Sequence, residues 1–395
     1  MVEIKFNLYF LRILTNNGFI LFVSKLPSVC PFFTIFVPMP TPFTSLLIKW
    51  NSSTNYRPMP WKGEKDPYKI WLSEIILQQT RVEQGWAYYE KFVKTFPTIQ
   101  QLARAKDEKV LKLWEGLGYY NRCRNLLFTA RQIVHEFNGV FPSIYEQLLL
   151  LKGIGPYTAA AIASFAYNLP YAVVDGNVFR VFARFYGIHT PIDSKEGLVT
   201  FNKIAKDNLS KKTPGLYNQA LMDFGATVCK PMAPLCAACV MQNKCKAFQL
   251  NQVNQLPVKL KIITKQKRYL DFFVFRNKGQ FLIQKRSAGD IWQDLYQFYL
   301  VENEKNIVAS ANYFEEVLDN QLAIGKGDTL VQNVTPVYRQ QLTHQLIESR
   351  FFLTELKSIP KVFAKAFWVK QADLKKYAFP KIINQYLQET GLKKQ

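Results

Sequence analysis

The sequence lacks long apolar runs and is poor in acidic residues. None of its 395 residues belongs to an uninterrupted apolar stretch long enough to span a bilayer, which needs about 18 residues. A membrane protein is therefore not expected. There are 29 Asp and Glu residues against 51 Lys and Arg, so the formal net charge is +22. That charge favours a polyanionic partner such as nucleic acid or an anionic membrane. The 48% of hydrophobic residues are enough for ordinary cores.

Cysteine is also scarce, because six in the whole chain are too few for a disulfide scaffold. Four of them cluster with the spacing C-x6-C-x2-C-x5-C, at Cys229, Cys236, Cys239 and Cys245. Four thiols this close indicate a metal centre in a reducing compartment. Zinc and a 4Fe-4S cluster both take four cysteines, so the spacing leaves both open.

The first 44 residues differ from the rest of the chain. Arg12, Lys25 and a run of prolines interrupt each apolar stretch there, whereas a signal peptide needs one clean apolar core. We predict an N-terminal extension over residues 1–44 that is disordered or artefactual. A short membrane-associating segment and a weakly targeted leader are the alternatives.

Residues 45–228 predict a helical domain without strands, because apolar residues recur there at spacings of three and four between Gly- and Pro-marked turns. Within it, Gly153 and Gly155 precede Pro156, and proline is favoured at the first position of a helix. Glycines allow close backbone approach, and the free N–H groups of a helix start suit a phosphate. We predict a hairpin that grips a DNA backbone; a plain glycine turn between two helices is the alternative.

Two carboxylates of this domain are candidates for chemistry. Asp175 precedes an apolar helical run and is predicted to be its N-cap. A carboxylate held by N–H donors stays ionised and can stabilise a cation. Glu74 interrupts an apolar helical stretch, which is usually explained by a solvated helix face. In a pocket wall, desolvation would instead raise its pKa and make it a general acid.

Residues 251–267 form a predicted linker rich in lysine, suited either to DNA phosphates or to solvent. Period-2 patterning then appears at residues 272–275 and 281–284, on either side of a turn at 277–279. This pattern predicts a β-hairpin in an α+β domain over residues 268–385, followed by a tail at 386–395.

These features together resemble the MutY-type adenine DNA glycosylases of the helix-hairpin-helix superfamily, over about residues 45–382. The most specific signatures are the segment SEIILQQT at residues 73–80 and the cysteine spacing. The resemblance implies a mostly α helix-hairpin-helix glycosylase domain, an iron-sulfur loop at 229–250 and an α+β Nudix-like C-terminal domain. It also implies one 4Fe-4S cluster in preference to zinc.

The resemblance implies roles for individual residues. Glu74 would protonate adenine at N7, Asp175 would stabilise the oxocarbenium-like sugar, and Tyr157 would assist. Bifunctional members carry a lysine at the Tyr157 position for Schiff-base chemistry, so base removal without efficient strand cleavage is expected. The remaining matches are Trp61, Leu77 and Gln219 in the adenine pocket, Gln79 and Tyr119 beside 8-oxoguanine, and Gly153 and Gly155 in the DNA-binding hairpin.

In the C-terminal domain, Thr343 and His344 match a loop that inspects 8-oxoguanine, although a hairpin-turn histidine without a ligand is the alternative. Two positions depart from the family pattern: Leu342 replaces an aromatic residue and Lys62 replaces an arginine. No Arg-Glu-x-x-Glu-Glu segment is present, so no Mg-dependent pyrophosphatase is expected.

We therefore expect a monofunctional adenine DNA glycosylase of base excision repair. Its partner would be double-stranded DNA containing adenine mispaired with 8-oxoguanine or guanine, and it would act as a bacterial cytoplasmic, nucleoid-associated monomer. The alternatives are an endonuclease III-like glycosylase/lyase and a catalytically silent DNA-mismatch-binding protein.

Overall fold

The computed structural model of the chain describes residues 41–260, 264–307, 309–322, 324, 329–357 and 366–393. Most of the predicted N-terminal extension lies outside the described residues. Its predicted end at residue 44 is wrong, because a helix already begins at Pro42, with the Thr41 side chain as its N-cap. Phe43 is 1% exposed and packs against the ring of Phe182, so burial of this side chain extends the domain towards the N-terminus.

The N-terminal region is helical, and no strand is present among residues 41–260, as predicted. Several helices begin with proline, because an N–H group at the first helical position would have no hydrogen-bond partner within the helix. The helices are α1 (Pro42–Thr54), α2 (Pro67–Leu77), α3 (Val82–Thr95), α4 (Ile99–Ala103), α5 (Asp107–Trp114), α6 (Tyr120–Glu136), α7 (Tyr145–Leu149), α8 (Pro156–Tyr167), α9 (Gly176–Tyr186), α10 (Lys195–Asn208), α11 (Pro214–Thr227) and α12 (Lys246–Gln249).

The helices form two lobes, each with its own apolar core. One core draws mainly on α2–α8 and includes Trp71 and Trp114. The other draws on α1 and α9–α12 and includes Phe182 and Phe224. Helix α8 packs against α2, while α11 packs against both α8 and α9, so these helices join the lobes. Side chains on α2, α8 and the start of α9 can therefore meet between the lobes.

The C-terminal region is a mixed sheet flanked by helices, which confirms the predicted α+β class. In the sheet, β1 and β7 run parallel at the centre, with the order β3-β2-β1-β7-β5; β4 pairs with β1, β6 with β7 and β8 with β2. The elements are β1 (Gln266–Asn277), β2 (Gln280–Lys285), β3 (Tyr296–Gln297), β4 (Tyr299–Asn303), α13 (Ala311–Glu316), β5 (Thr329–Val334), β6 (Tyr338–Gln341), β7 (Gln345–Leu356), β8 (Ala366–Lys370) and α14 (Lys381–Glu389).

The predicted hairpin at the start of this region is confirmed. Strands β1 and β2 are antiparallel, and Lys278 and Gly279 at their turn both have positive φ, as tight hairpin turns require. The linker is shorter than predicted, because β1 begins at Gln266 by pairing with β7.

The predicted tail at 386–395 is wrong at its start. Tyr386 and Leu387 lie on α14 and are buried in the core, at 1% and 0% exposure. The helix extends to Glu389 because its apolar face covers the sheet.

The two regions share one apolar core cluster, and polar groups at Glu115 add hydrogen bonds between them. Its carboxylate accepts hydrogen bonds from the Phe379 N–H at 2.8 Å and the Asn384 amide at 2.9 Å, and it pairs with Lys112 at 2.6 Å. Among the described residues, none of the helices combines the length and apolarity needed to cross a membrane.

Candidate active site

Glu74 lies near the C-terminal end of α2 and is only 8% exposed. The interpretation of Glu74 as a solvated helix-face residue is therefore wrong. It is buried because α2 is apolar on most sides and packs against both α3 and α8. The packing of α2 against its neighbours therefore keeps the carboxyl group of Glu74 away from water.

Tyr157 occupies the second position of α8, directly after the hairpin that contains Gly153 and Gly155. Its hydroxyl donates to Met222 Sδ on α11 at 3.6 Å and also interacts with the carboxyl group of Glu74. Burial and the nearby carboxylates raise the pKa of Tyr157 well above its usual value. The phenol therefore remains protonated at neutral pH.

Asp175 caps the N-terminus of α9, as predicted. Its Oδ1 accepts the Val178 N–H at 2.7 Å, and its Oδ2 accepts from the Asn177 side-chain amide at 2.7 Å. Burial raises the pKa of Asp175, while the bonds from Val178 and Asn177 and the charge of Arg180 act in the opposite direction. The capping bonds hold one carboxylate edge at the start of the helix.

The structure brings Glu74, Tyr157 and Asp175 together from three helices. Burial raises the pKa of Glu74 from 4.5 to about 7; the negative charge of Asp175 adds to this effect, and the Tyr157 hydrogen bond opposes it. A carboxyl group with this pKa is protonated in a large fraction of molecules at neutral pH. The site thus combines a proton donor with a second carboxylate supported by hydrogen-bond donors.

The helix that begins at Asp175 also carries two buried arginines. Arg180 donates to the Asn177 amide oxygen at 2.8 Å and to the Cys229 carbonyl at 2.8 Å. One turn later, Arg184 donates to the Lys230 carbonyl at 2.6 Å. These contacts connect the surroundings of Asp175 to the start of the cysteine loop, and no periodic pattern in the sequence indicates them.

All four predicted cysteine ligands line one pocket, together with apolar side chains of the same loop. Two N–H groups point at sulfur: that of Met241 lies 3.4 Å from Cys239 Sγ, and Arg184 Nη1 lies 3.6 Å from Cys229 Sγ. Burial and the neighbouring thiols raise the pKa of Cys239 to about 11. Among the described residues, however, no three His, Cys, Asp or Glu side chains gather tightly enough to share a single metal ion.

The predicted hairpin joins α7 to α8. Gly153 has φ of +78°, and a Cβ there would lie 2.9 Å from Cβ of Asn125, so the turn needs glycine on both counts. At Gly155 a Cβ would meet nothing within 4 Å. Gly155 is also the N-cap of α8 and is exposed, which leaves the N–H groups of this helix start open to a ligand.

The three residues matched to the adenine pocket lie around α2 and α11. The Trp61 ring packs on Tyr89 at 5.3 Å between centroids, and Leu77 is one turn beyond Glu74 on α2. Gln219 is one turn before Met222 on α11, the residue that contacts Tyr157. Helical spacing therefore directs Leu77 and Gln219 towards the same side as the catalytic candidates.

A polar cluster that was not predicted surrounds Asp223, which is 0% exposed. Its carboxylate accepts from Asn55 at 2.9 Å, Arg57 at 3.0 Å, Lys62 at 3.1 Å and Gln219 at 3.1 Å. Lys62, which replaces an arginine of the family pattern, thus keeps a charged partner. The amide of Gln219 must present its NH2 group to Asp223, because a carboxylate only accepts.

The residues matched to 8-oxoguanine recognition come from both regions and partly meet. The Tyr119 hydroxyl lies 2.5 Å from Thr343 Oγ1, across 224 residues of sequence. Gln79 and Tyr119 are exposed and have φ of +55° and +48°. His344 is exposed in the turn between β6 and β7, and its carbonyl accepts from the Gln266 N–H.

Comparison with known proteins identifies both regions. The model of the HhH-GPD superfamily base excision DNA repair proteins matches residues 72–205, and that of the NUDIX domain matches residues 271–389. The adenine DNA glycosylase of Buchnera aphidicola subsp. Baizongia pistaciae is 38% identical over 263 residues, which cover 65% of this chain and 73% of that protein. The adenine DNA glycosylase of Mus musculus is 41% identical over 227 residues, or 55% and 44% of the two chains.

A solved structure of a thermostable thymine-DNA glycosylase matches with a TM-score of 0.49 and 27% identity, covering 53% of this chain and 95% of that one. The Buchnera relative matches across more than two thirds of its own length. The two family models agree with the helical and sheet regions described above. The chain therefore belongs to the adenine DNA glycosylase family.

Proposed function

We propose that the protein hydrolyses the N-glycosidic bond of adenine mispaired with 8-oxoguanine or guanine in double-stranded DNA, without cutting the strand. The observation that carries this proposal is the meeting of Glu74, Tyr157 and Asp175, with the pKa of Glu74 raised to about 7. Glycosidic cleavage needs a proton for the leaving group and a negative charge beside the sugar. The names of the relatives support adenine as the base.

The reaction begins with an adenine turned out of the duplex, because its glycosidic bond is out of reach within the stack. Glu74 gives its proton to N7 of adenine, and the bond between N9 and C1′ breaks with its electron pair moving to the base. Asp175 stabilises the positive charge left on the sugar. Water then adds to C1′, and its proton returns to Glu74.

The surroundings of the two carboxyl groups differ in how many donors and cations support the charged form. Glu74 has one described hydrogen-bond donor, Tyr157, and faces the charge of Asp175. Burial raises the pKa of Asp175 as well, but a backbone donor, an amide donor and the charge of Arg180 oppose that rise. Removing the proton of Glu74 would therefore place two buried negative charges side by side, which favours keeping it.

Tyr157 supports the monofunctional reaction. A lyase needs an amine to form a Schiff base with C1′, and a phenol cannot form one. The hydroxyl of Tyr157 instead orients the carboxyl of Glu74 and lowers its pKa, which keeps the pKa near neutrality.

We further propose that Cys229, Cys236, Cys239 and Cys245 hold a 4Fe-4S cluster. All four thiols line one pocket, and the resemblance to the glycosylase family favours an iron-sulfur cluster over zinc. The N–H groups of Met241 and Arg184 lie beside the sulfurs of Cys239 and Cys229 and suit thiolate ligands. When bound, the cluster cross-links the loop that Arg180 and Arg184 contact. A colourless, zinc-loaded preparation would contradict this assignment.

The partner and the cellular location that we propose are those of an enzyme that acts on DNA. The net charge of +22 and the open helix start at Gly155 suit a DNA backbone. We propose that a monomer acts on chromosomal DNA in the bacterial cytoplasm, with Thr343 and His344 beside the 8-oxoguanine.

The test uses a duplex with one adenine opposite 8-oxoguanine, with strand breaks scored before and after hot alkali. We expect breaks at that adenine only after alkali, and a rate at least about a hundredfold lower for Asp175→Asn. Asp207→Asn, at an exposed position on α10, is the matched control. Breaks without alkali would indicate a lyase, and tight binding without adenine release would indicate a silent mismatch-binding protein.

A further inference from the structure

Two exposed side chains sit on strained backbone at neighbouring loop tips. Gln79 follows α2 and Tyr119 precedes α6, and both have left-handed φ values, of +55° and +48°. Such values are uncommon for residues other than glycine. They persist only where the surroundings hold the backbone in place. The feature that holds both loops is the side chain of Arg122.

One arm of Arg122 holds the end of the helix that carries Glu74. Its Nη1 donates to the carbonyls of Ile75 at 2.9 Å, Ile76 at 2.8 Å and Gln78 at 2.6 Å. The last carbonyls of a helix have no partner within it and form the negative end of its dipole. A cation at this position both caps α2 and fixes the residue directly before Gln79.

The other arm reaches the second loop. Arg122 Nη2 donates to Thr80 Oγ1 and to the Gly118 carbonyl, each at 3.3 Å. The guanidinium carbon also lies 5.4 Å from the centre of the Tyr119 ring. The guanidinium group therefore contacts the residues on either side of Gln79. It also contacts the carbonyl before Tyr119 and the Tyr119 ring.

Lysine could not reproduce these contacts. Arg122 is 9% exposed, and burial lowers its pKa to about 10, so it stays charged at neutral pH. Among the described residues no carboxylate pairs with it, and the oxygens that accept from it are carbonyl and hydroxyl groups of the α2 end and of two loops. An ammonium is a point donor, whereas the guanidinium spans both loops with a rigid fork.

We propose that Arg122 is the positioning residue that holds Gln79 and Tyr119 as one rigid, two-pronged wedge and ties this wedge to the helix of Glu74. The inference rests on the proposed function, because a wedge is needed only if adenine is extruded from a duplex. Through Arg122, the wedge is attached to the C-terminal end of α2.

The first test follows base extrusion without chemistry. In a Glu74→Gln background, the adenine opposite 8-oxoguanine is replaced by 2-aminopurine, whose fluorescence rises when it leaves the stack. We expect Arg122→Lys to abolish most of this rise, and Arg131→Lys, an arginine on the exposed side of the same helix, to keep it. An undiminished rise in Arg122→Lys would overturn the proposal. Thr80→Val, which removes one acceptor of Arg122, replaces Arg122→Lys if that variant does not fold, and should weaken the rise.

The second test asks whether Arg122 acts through the wedge. In an otherwise wild-type chain, Arg122→Lys should slow adenine release in a single turnover by at least about tenfold. In a Gln79→Ala, Tyr119→Ala background the same change should slow it by less than about threefold. Equal losses in both backgrounds would assign Arg122 a structural role only. If the wild type released no adenine, the proposed function would be contradicted. The fluorescence experiment would still test whether Arg122 positions the wedge, because it measures base extrusion without chemistry.

Discussion

Two buried carboxyl groups in the helical region, those of Asp223 and Glu74, differ in their hydrogen-bond and charge partners. Asp223 is fully buried and accepts from two cations and two amides. Glu74 is nearly as buried, but its described donor is one tyrosine hydroxyl and its charged neighbour is Asp175. Asp271 in the sheet region resembles Asp223, because Arg350 donates to both of its oxygens, at 2.9 and 2.7 Å. Burial with partners stabilises a fold, whereas burial without them raises a pKa and prepares a group for proton transfer.

The largest effect should come from removing the proton that Glu74 carries. Glu74→Gln keeps the size and the acceptor for Tyr157 but cannot donate an acid proton. Adenine release in a single turnover should fall by about a hundredfold to ten-thousandfold. Glu83→Gln, on the exposed face of α3, is the control. A loss in rate below about tenfold would mean that Glu74, like Asp223, does not act as a catalytic acid.

Removing the partnered carboxylate should instead affect stability. Asp223→Leu leaves Arg57 and Lys62 without their shared partner; both cations are partly exposed, which moderates the effect. We expect the free energy of unfolding in urea to fall by about 2 to 4 kcal/mol. Asp107→Leu removes a carboxylate from an exposed pair with Arg131 and should cost about 1 kcal/mol or less. Equal losses of unfolding free energy in Asp223→Leu and Asp107→Leu would contradict the expected difference between a buried and an exposed partnered carboxylate.

Glu74→Gln should also stabilise the protein at alkaline pH. The pKa of Glu74 rises from 4.5 to about 7 on folding. Its contribution to stability is therefore complete below about pH 4.5 and is lost as the pH rises through about 7. Glutamine does not ionise, so above pH 7 the variant should exceed the wild type by up to about 3 kcal/mol, with little difference at acidic pH. Thermal unfolding across pH measures this, and a variant less stable at pH 8 would contradict it.

Local features of the fold could be predicted from the sequence because each depends on a few neighbouring residues. The N-cap at Asp175, the helix start at Pro156 and the β1–β2 hairpin are all confirmed. The incorrect tail had a visible signal: Ile382, Ile383, Tyr386 and Leu387 have the spacing of a helix face, and all are buried.

The contacts that set the chemistry could not be predicted in this way. Arg122 bonds carbonyls 44 to 47 residues away, and Asp223 binds partners up to 168 residues away. No period or spacing in the sequence marks such pairs. Burial of Glu74 likewise depends on how α8 packs against α2, so its raised pKa follows from tertiary structure.

We infer that the raised pKa of Glu74 makes it the acid of the reaction. This role is tested most directly by the pH dependence of adenine release in wild type and Tyr157→Phe. The rate should fall as the pH rises through about 7 in the wild type, since Glu74 then loses its proton. Tyr157→Phe removes a hydrogen bond that favours the ionised form, so its remaining activity should persist to higher pH. A rate that is flat across this range, or a fall that moves to lower pH in Tyr157→Phe, would contradict the claim.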